Sequence, residues 1–420
     1  MSKINCFSSE VMKNMYQKYN DVVLVDSTYK TNKYKMPLLV FGAINNLNKT
    51  FLLGFAVIKD ETYASVHWVF QQLFNYLGSK PTIIVSDSCK TLRKCIVDVL
   101  EGSTHLLCGW HVSQNIKSHL TAFRKTFFID FNFEGSHMNQ EEINQIINLP
   151  YISSKNEVEK LFEKILSLNI SETTKNYYKE KLDSKEMWCM AYKKDLSCLR
   201  IGTTLRIEGI NAIIKAELNA SSRLVELLLR MLDIHQHILN KNYFDGSNVS
   251  NLLLENLKEN PLLKSIKESV SEYVYHQIAL SISKSFELVP KLYKGKYTII
   301  DKNEWKIEID KADPKCSCKY FVTTGIPCSH LISAALKNKD FPIQGLIKKR
   351  WLKEPFELNL SDSELINDIK SFLFTLKKED KDKEENSQEE QKEAELLPSQ
   401  AQEVKELNNV NQVNPNPVKH

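Results

Sequence analysis

Four residues in the last third of the chain have the types and spacing to hold a metal ion: Cys316-x-Cys318 and Cys328-x-His330, nine residues apart. Three thiolates and one imidazole make a closed tetrahedral shell, the donor set of a structural Zn²⁺ site. Gly325 and Pro327 supply a turn before the second pair. His330 opens the apolar run HLISAAL, so that pair is expected at a helix N-terminus, where thiolate charge is favoured. Lys315, Lys319 and Lys337 give the module a mild positive character that suits DNA phosphates or a protein contact.

Carboxylates suggest a second chemistry. Asp26 ends the run DVVLVD, and Asp87 follows PTIIVS. If these two runs are neighbouring strands, their last residues converge at one sheet edge. Two carboxylates that close repel each other, and a divalent cation makes the arrangement favourable. The plain alternative for each Asp is a turn or helix-cap residue. Cys108 and His111 stand just beyond; they are half a zinc site, and core packing of Cys108 with a structural hydrogen bond from His111 serves as well. Trp110 reads as core rather than as a base-stacking residue. His235 and His237, two apart on a helix, point to different faces and make poor joint ligands. Lys348-Lys349-Arg350 reads as solvated surface, with nuclear entry or phosphate contact as the functional alternative.

The elements that must position these residues follow from periodicity. DVVLVD, PLLVFGAI and FLLGFAVI are short apolar and β-branched runs bounded by Asn, Lys and Gly, three strands of which the last two form a hairpin. Val66, Val69, Phe70, Leu73, Phe74 and Leu77 make the stripe of an amphipathic helix closed by Gly78. PTIIV is a strand, Thr91–Leu100 a helix and HLLC (105–108) a strand. The order β-β-β-α-β-α-β is a mixed α/β sheet and matches an RNase H-like core. Beyond Trp110 the spacing is helical, with Val158–Leu168, Tyr177–Leu182 and a block from Glu208 to Leu239, until Tyr297–Ile300 and Trp305–Ile309 form a hairpin just before Cys316.

Composition sets the bounds. The chain has 420 residues, 42% hydrophobic, with 12 Gly and 12 Pro, enough to build sizeable cores. Lys and Arg number 56 against 52 Asp and Glu, so the formal charge of +4 argues for no nucleic-acid partner by itself. Met1 to Tyr19 lacks the apolar core of a secretory signal, and no run is long and apolar enough for a bilayer, so an intracellular protein with no membrane partner is expected. Its nine cysteines are then expected as reduced thiols, with Cys6, Cys89, Cys95, Cys189 and Cys198 as free core residues. After Phe374 the chain turns to KKEDKDKEENSQEEQKEAE and a Gln, Asn and Pro-rich end, expected to be disordered.

Asp26-Ser-Thr-Tyr-Lys-Thr-Asn32, Ser86-Asp87, Cys108-Gly-Trp-His111 and Arg206-Ile-Glu208-Gly-Ile-Asn211 resemble the successive blocks of Mutator-like (MULE) transposases and their far-red-response relatives. The CSC and PCSH segment resembles the SWIM zinc finger that commonly follows that domain. The resemblance implies an Asp, Asp, Glu triad of Asp26, Asp87 and Glu208 holding catalytic Mg²⁺ or Mn²⁺, and Cys316, Cys318, Cys328 and His330 on structural Zn²⁺. The 120 residues between Asp87 and Glu208 are too many for a loop, so a helical insertion is expected between sheet and last catalytic helix. Asn211, three residues on from Glu208, shares its helix face, with Lys215 a turn further. A solvated helix-start glutamate is the plain alternative for Glu208.

The expected division is a lead-in (1–20), an RNase H-like core (21–124), a helical insertion (125–205), the catalytic C-terminal helices (206–290), the zinc finger (291–340), a helical extension (341–374) and the disordered tail (375–420). The residues before Asp21 hold no Cys/His cluster, unlike the N-terminal finger of longer relatives. The resemblance implies a nuclear protein with DNA as partner, a homodimer for paired-end cutting, and a protein contact through finger or tail. Three functions compete: a transposase performing metal-dependent strand cleavage and transfer, a domesticated far-red-response-type DNA-binding regulator without catalysis, and an inactive remnant.

Overall fold

The computed structural model describes residues 5–127, 140–167, 171–193, 199, 204–244, 251–300, 306–337, 341 and 343–353. The acidic tail, most of the expected C-terminal extension, Trp305 and Cys198 lie outside the described residues. The first part runs β1 (Asn5–Phe7), α1 (Glu10–Lys18), β2 (Val22–Thr28), β3 (Leu38–Ile44), β4 (Thr50–Val57), α2 (Tyr63–Leu77), β5 (Ile83–Ser86), α3 (Lys90–Val99), β6 (Thr104–Leu107) and α4 (Gly109–Phe127). The strands lie in the order β1-β4-β3-β2-β5-β6. β2 is parallel to β5, and β5 to β6, while β3 is antiparallel to both its neighbours. From β2 to β6 this is the RNase H-like arrangement. The three-residue β1 and the helix after it add a sixth strand, and a helix on the α2 and α3 side, that the sequence pattern did not mark.

Both faces of the sheet are covered, which is why β2, β3 and β4 read as nearly continuous apolar runs. Alternation divides β2 between two cores. Val23 and Val25 pack with Tyr16, Phe41, Phe70 and Phe74, under α1, α2 and α3. Val22 and Leu24 face the other way, and Asp26 shares their parity. Thr62 caps α2 by accepting the Ser65 N–H, and Gly78 ends it in the left-handed region at φ 77°.

The helices α5 (Gln140–Ile147), α6 (Lys155–Ser167), α7 (Glu172–Asp183) and α8 (Lys185–Trp188) form, with α4, a separate cluster around Phe162, Tyr178 and Trp188. The chain returns to the open sheet face with α9 (Leu205–Glu217), α10 (Leu224–Phe244), α11 (Asn251–Leu257), α12 (Pro261–Ile266) and α13 (Glu272–Ser285). Ile207, Ile210, Ile214, Leu228 and Val274 close the core above Val22 and Leu24. Gly42 on β3 lets α9 approach: a Cβ there would collide with Ile207 Cδ1 and crowd Phe51 O and Thr50 Cγ2, both at 3.2 Å.

The last module is the small sheet β7 (Lys291–Tyr293), β8 (Lys296–Ile300) and β9 (Lys306–Asp310), then α14 (Lys319–Thr324) and α15 (Ser329–Lys337). Its Ile299, Ile309, Leu331 and Ile332 belong to the same core as α9 and α13. Residues 343–353 strap it down. Trp351, buried, donates its indole N–H to Thr324 O (2.7 Å), Ser271 N–H donates to Trp351 O (2.9 Å), and Asn46 Nδ2 to Leu352 O (3.2 Å). The expected solvated basic cluster is half wrong: Lys348 and Lys349 are exposed, but the Arg350 side chain is 6% exposed. It pairs with Asp21, donates to Ile44 O (2.8 Å) and lies over Trp351 and Tyr19. A buried guanidinium needs such a set of acceptors, so Arg350 is unavailable to phosphate.

Candidate functional site

β2 and β5 are hydrogen-bonded neighbours with Leu24 opposite Val85; the same register carried two residues on sets Asp26 against Asp87. Asp26 is 6% exposed, and Asp87 is half-buried just past the end of β5. α9 lies across this end of the sheet because Ile207, Ile210 and Ile214 anchor one of its faces. Asn211, on the same helix, donates from Nδ2 to Asp26 Oδ2 at 2.9 Å, a contact 185 residues apart in sequence. Glu208 lies one turn earlier, half-buried, its Oε1 3.8 Å from His111 Nε2. Lys215, exposed, takes no part.

Electrostatics follow from crowding acids at a partly dry edge. Burial pushes the Asp26 carboxyl up to about 6; His111 opposes the shift, and Asp87 and Glu208 add to it. Burial raises Asp87 too, against the Cys89 N–H on its Oδ1 (3.0 Å) and the charge of His111. For His111 burial acts downward, but the Cys108 thiol and the carboxylates of Asp26 and Glu208 carry it up to about 9, so the ring is a cation at neutral pH. Hard carboxylate oxygens whose charges disfavour one another suit a hard divalent cation such as Mg²⁺ or Mn²⁺.

Cys108 and His111 follow β6, at the entrance of α4. Cys108 is fully buried, and its Sγ receives the backbone N–H of Thr204 (3.2 Å) and of His111 (3.5 Å). Thr204, absent from the sequence reading, ties the group together: its Oγ1 donates to Glu208 Oε1 (3.1 Å) and is 3.4 Å from His111 Nδ1. No periodicity marks a single threonine before a helix. Trp110 is not core but half-buried, lining with Lys117, Asn144 and Tyr151 a cavity of about 540 Å³ between α4 and α5. His235 is buried and His237 exposed on the same helix, so they share no ion.

In the C-terminal module Cys316 follows β9, Cys318 caps α14 by accepting the Phe321 N–H (3.5 Å), and Gly325 ends that helix at φ 67°. Cys328 and His330 enter α15, and His330 Nδ1 is 3.8 Å from Cys316 Sγ. One donor atom from each of the four residues lies within 4.8 Å of the others. Hydrogen bonds from Cys316 and Cys328 hold the Cys318 thiol far below its usual range, while the bond to Cys318 pushes Cys316 up to about 12. The shell therefore favours one thiolate on its own, and ionising all three calls for a cation such as Zn²⁺. Among the described residues, one other group of Cys, His and acidic side chains is as tight: Cys108, His111 and Glu208.

The family model described as the MULE transposase domain matches residues 22–115, and that of the SWIM zinc finger residues 299–339. The chain carries a MULE transposase domain and a SWIM zinc finger. Similar proteins from Arabidopsis thaliana include Protein FAR1-RELATED SEQUENCE 5, 23% identical over 80% of this chain and 43% of its own length, and Protein FAR1-RELATED SEQUENCE 4, 23% identical over 80% and 46%. Protein FAR-RED IMPAIRED RESPONSE 1 is 31% identical over 28% of this chain and 15% of its own. The chain thus spans less than half the length of these relatives. The Drosophila P element transposase strand transfer complex is 11% identical over 62% of this chain and 71% of that chain, with a TM-score of 0.23. The strand order β1-β4-β3-β2-β5-β6, with β2, β5 and β6 parallel, defines the RNase H-like fold. Asp26 and Asp87 fall within the MULE match, Glu208 outside it, and all four finger ligands within the SWIM match.

Proposed function

We propose that this protein performs metal-dependent cleavage and transfer of DNA strands, with Asp26, Asp87 and Glu208 as the ligands of catalytic Mg²⁺ or Mn²⁺ and the SWIM finger on structural zinc. The observation that supports this reading is the return of α9, 120 residues after Asp87, to lay Asn211 on Asp26 and Glu208 one turn away. A structural sheet end has no use for a buried carboxylate, its half-buried neighbour and a third acid brought in from so far along the chain. When bound, the cations would lower the pKa of an attacking water and offset charge developing on the leaving oxygen. Asn211 fixes the orientation of Asp26. Protonated His111 adds a positive group beside Glu208, suited to a phosphate oxygen.

In this reading the substrate is duplex DNA, the working form a homodimer, and the location the nucleus. Among the described residues no helix is long and apolar enough to cross a membrane. The test is nicking of supercoiled plasmid with Mg²⁺ or Mn²⁺, beside Asp87→Asn and Glu208→Gln. Metal-dependent nicking lost in both variants is expected; nicking that survives in either refutes the assignment. The names of the Arabidopsis relatives refer to a far-red response and favour a second reading, a DNA-binding regulator that keeps the fold without cutting. Zinc-loaded protein that binds DNA in a salt-dependent way and leaves the plasmid intact selects it.

A further inference from the structure

We propose that Cys108, His111 and Glu208 form a second transition-metal site, distinct from the zinc finger and suited to Zn²⁺. Donor atoms from the three side chains lie within 4.8 Å of one another, as close as those of the finger itself. A thiolate, an imidazole and a carboxylate select a borderline-soft cation rather than Mg²⁺. Three protein ligands with a fourth position left for water or a phosphate oxygen are the pattern of an open zinc site rather than a closed one.

Two further observations point to a ligand. Cys108 Sγ, with no exposure to solvent, accepts two backbone N–H groups, from Thr204 at 3.2 Å and His111 at 3.5 Å. The second runs from residue i+3 to the sulfur of residue i, and the finger repeats it between Phe321 and Cys318, also at 3.5 Å. Such donors stabilise a thiolate and set its direction. The other observation is the chain through Thr204. With the Thr204 hydroxyl donating to Glu208 Oε1 (3.1 Å), its oxygen can accept from His111 Nδ1–H (3.4 Å), which leaves Nε2, 3.8 Å from Glu208 Oε1, as the nitrogen a cation would take in place of its proton. This orients the imidazole and carboxylate by their outer partners, as at zinc sites generally. Competing with this is a metal-free thiolate–imidazolium pair.

The inference goes beyond the cleavage reading and does not need it, although both use Glu208. A soft ion at this site would share that carboxylate and would take the place of the His111 proton.

The test is zinc content of the full chain, purified under reducing conditions and freed of loosely held metal. Two zinc ions per chain are expected, one in Cys108→Ser and one in Cys328→Ser. A single zinc in the wild type that disappears in Cys328→Ser overturns the proposal, as does a wild-type count unchanged in Cys108→Ser. Should Cys108→Ser fail to fold, Glu208→Gln serves, since that half-buried side chain lies at a helix start. Its second zinc should be held more than about tenfold more weakly in chelator competition, since even outer-shell losses at zinc sites cost ~10–100-fold. Unchanged affinity overturns the site. Failure of plasmid nicking leaves these counts untouched, so the two readings fall separately.

Discussion

Replacing Asp26 by Asn should stabilise the protein in buffer without Mg²⁺. The ordinary value for this carboxyl is 3.8, and burial with Asp87 and Glu208 nearby brings it to about 6 in the native state. Below pH 3.8 native and unfolded chains both keep the proton, and Asp26 costs nothing. Between there and pH 6 the unfolded chain ionises while the native one does not, so native stability falls; above pH 6 the cost is constant. A shift of about 2 pH units corresponds to about 3 kcal/mol. Asn keeps an oxygen to accept from Asn211 and removes the charge. For a chain of this length unfolding as a unit, with ~2.1 cal/mol/K of unfolding entropy per residue, that is a rise in Tm of about 3–4 °C at pH 8. The gap should close as the pH falls to 4. Mg²⁺ should close it from the other side, since a cation at a hundredfold excess over its Kd adds about 2.7 kcal/mol to the wild type and less to the variant. Thermal melts across pH, with and without Mg²⁺, provide the measurement. An Asp26→Asn protein that melts at or below the wild-type temperature at pH 8 would refute the reasoning, since Asp26 would then be a solvated carboxylate.

Other perturbations have equally definite outcomes. Cys328→Ser should lose one zinc per chain by elemental analysis and cost several kcal/mol, because zinc binding to such a shell is folding energy; retained stoichiometry would remove the finger assignment. Arg350→Ala should destabilise by about 3 kcal/mol in denaturant unfolding, leaving Asp21 and the Ile44 carbonyl without their donor, and Arg350→Lys should recover less than half, since one ammonium cannot serve both. Gly42→Ala should cost about 1–3 kcal/mol by pressing on α9. Ile207→Val removes the Cδ1 atom in the way, so the double variant should be more stable than additivity predicts; strict additivity would show that α9 does not rest on Gly42.

The central sheet was legible because its strands are long, buried on both faces and separated by turn residues, so Asp87 could be set at a strand end and Asp26 near one; β2 runs two residues past Asp26, to Thr28, and its pairing with β5 came from the structure. β1 and β7 were not, since three-residue strands such as Asn5–Phe7 are too short for alternation to register. The zinc ligands were legible because their donors are close in sequence, although α14 between them was missed. The grouping of Cys108 and His111 with Glu208 was not, because Thr204 and Cys108 meet across 96 residues and no local pattern encodes that meeting. Arg350 misled for a similar reason: a run of three basic residues looks solvated until its partner, 329 residues earlier, is known.

That distance also has a meaning in time. At a synthesis rate of ~5–20 residues per second, roughly 15–65 s separate the emergence of Asp21 from that of Arg350. The Tyr16 and Phe70 side of the sheet can be covered early, by α1 and α2. The opposite side, with Val22, Leu24 and Val40, stays open on the ribosome until α9 and α10 have been made, and the strap that fastens it arrives last. A nascent chain with one finished and one bare sheet face is a natural client for a chaperone that shields apolar strands, and a ribosome stalled before α9 would release a sticky half-molecule.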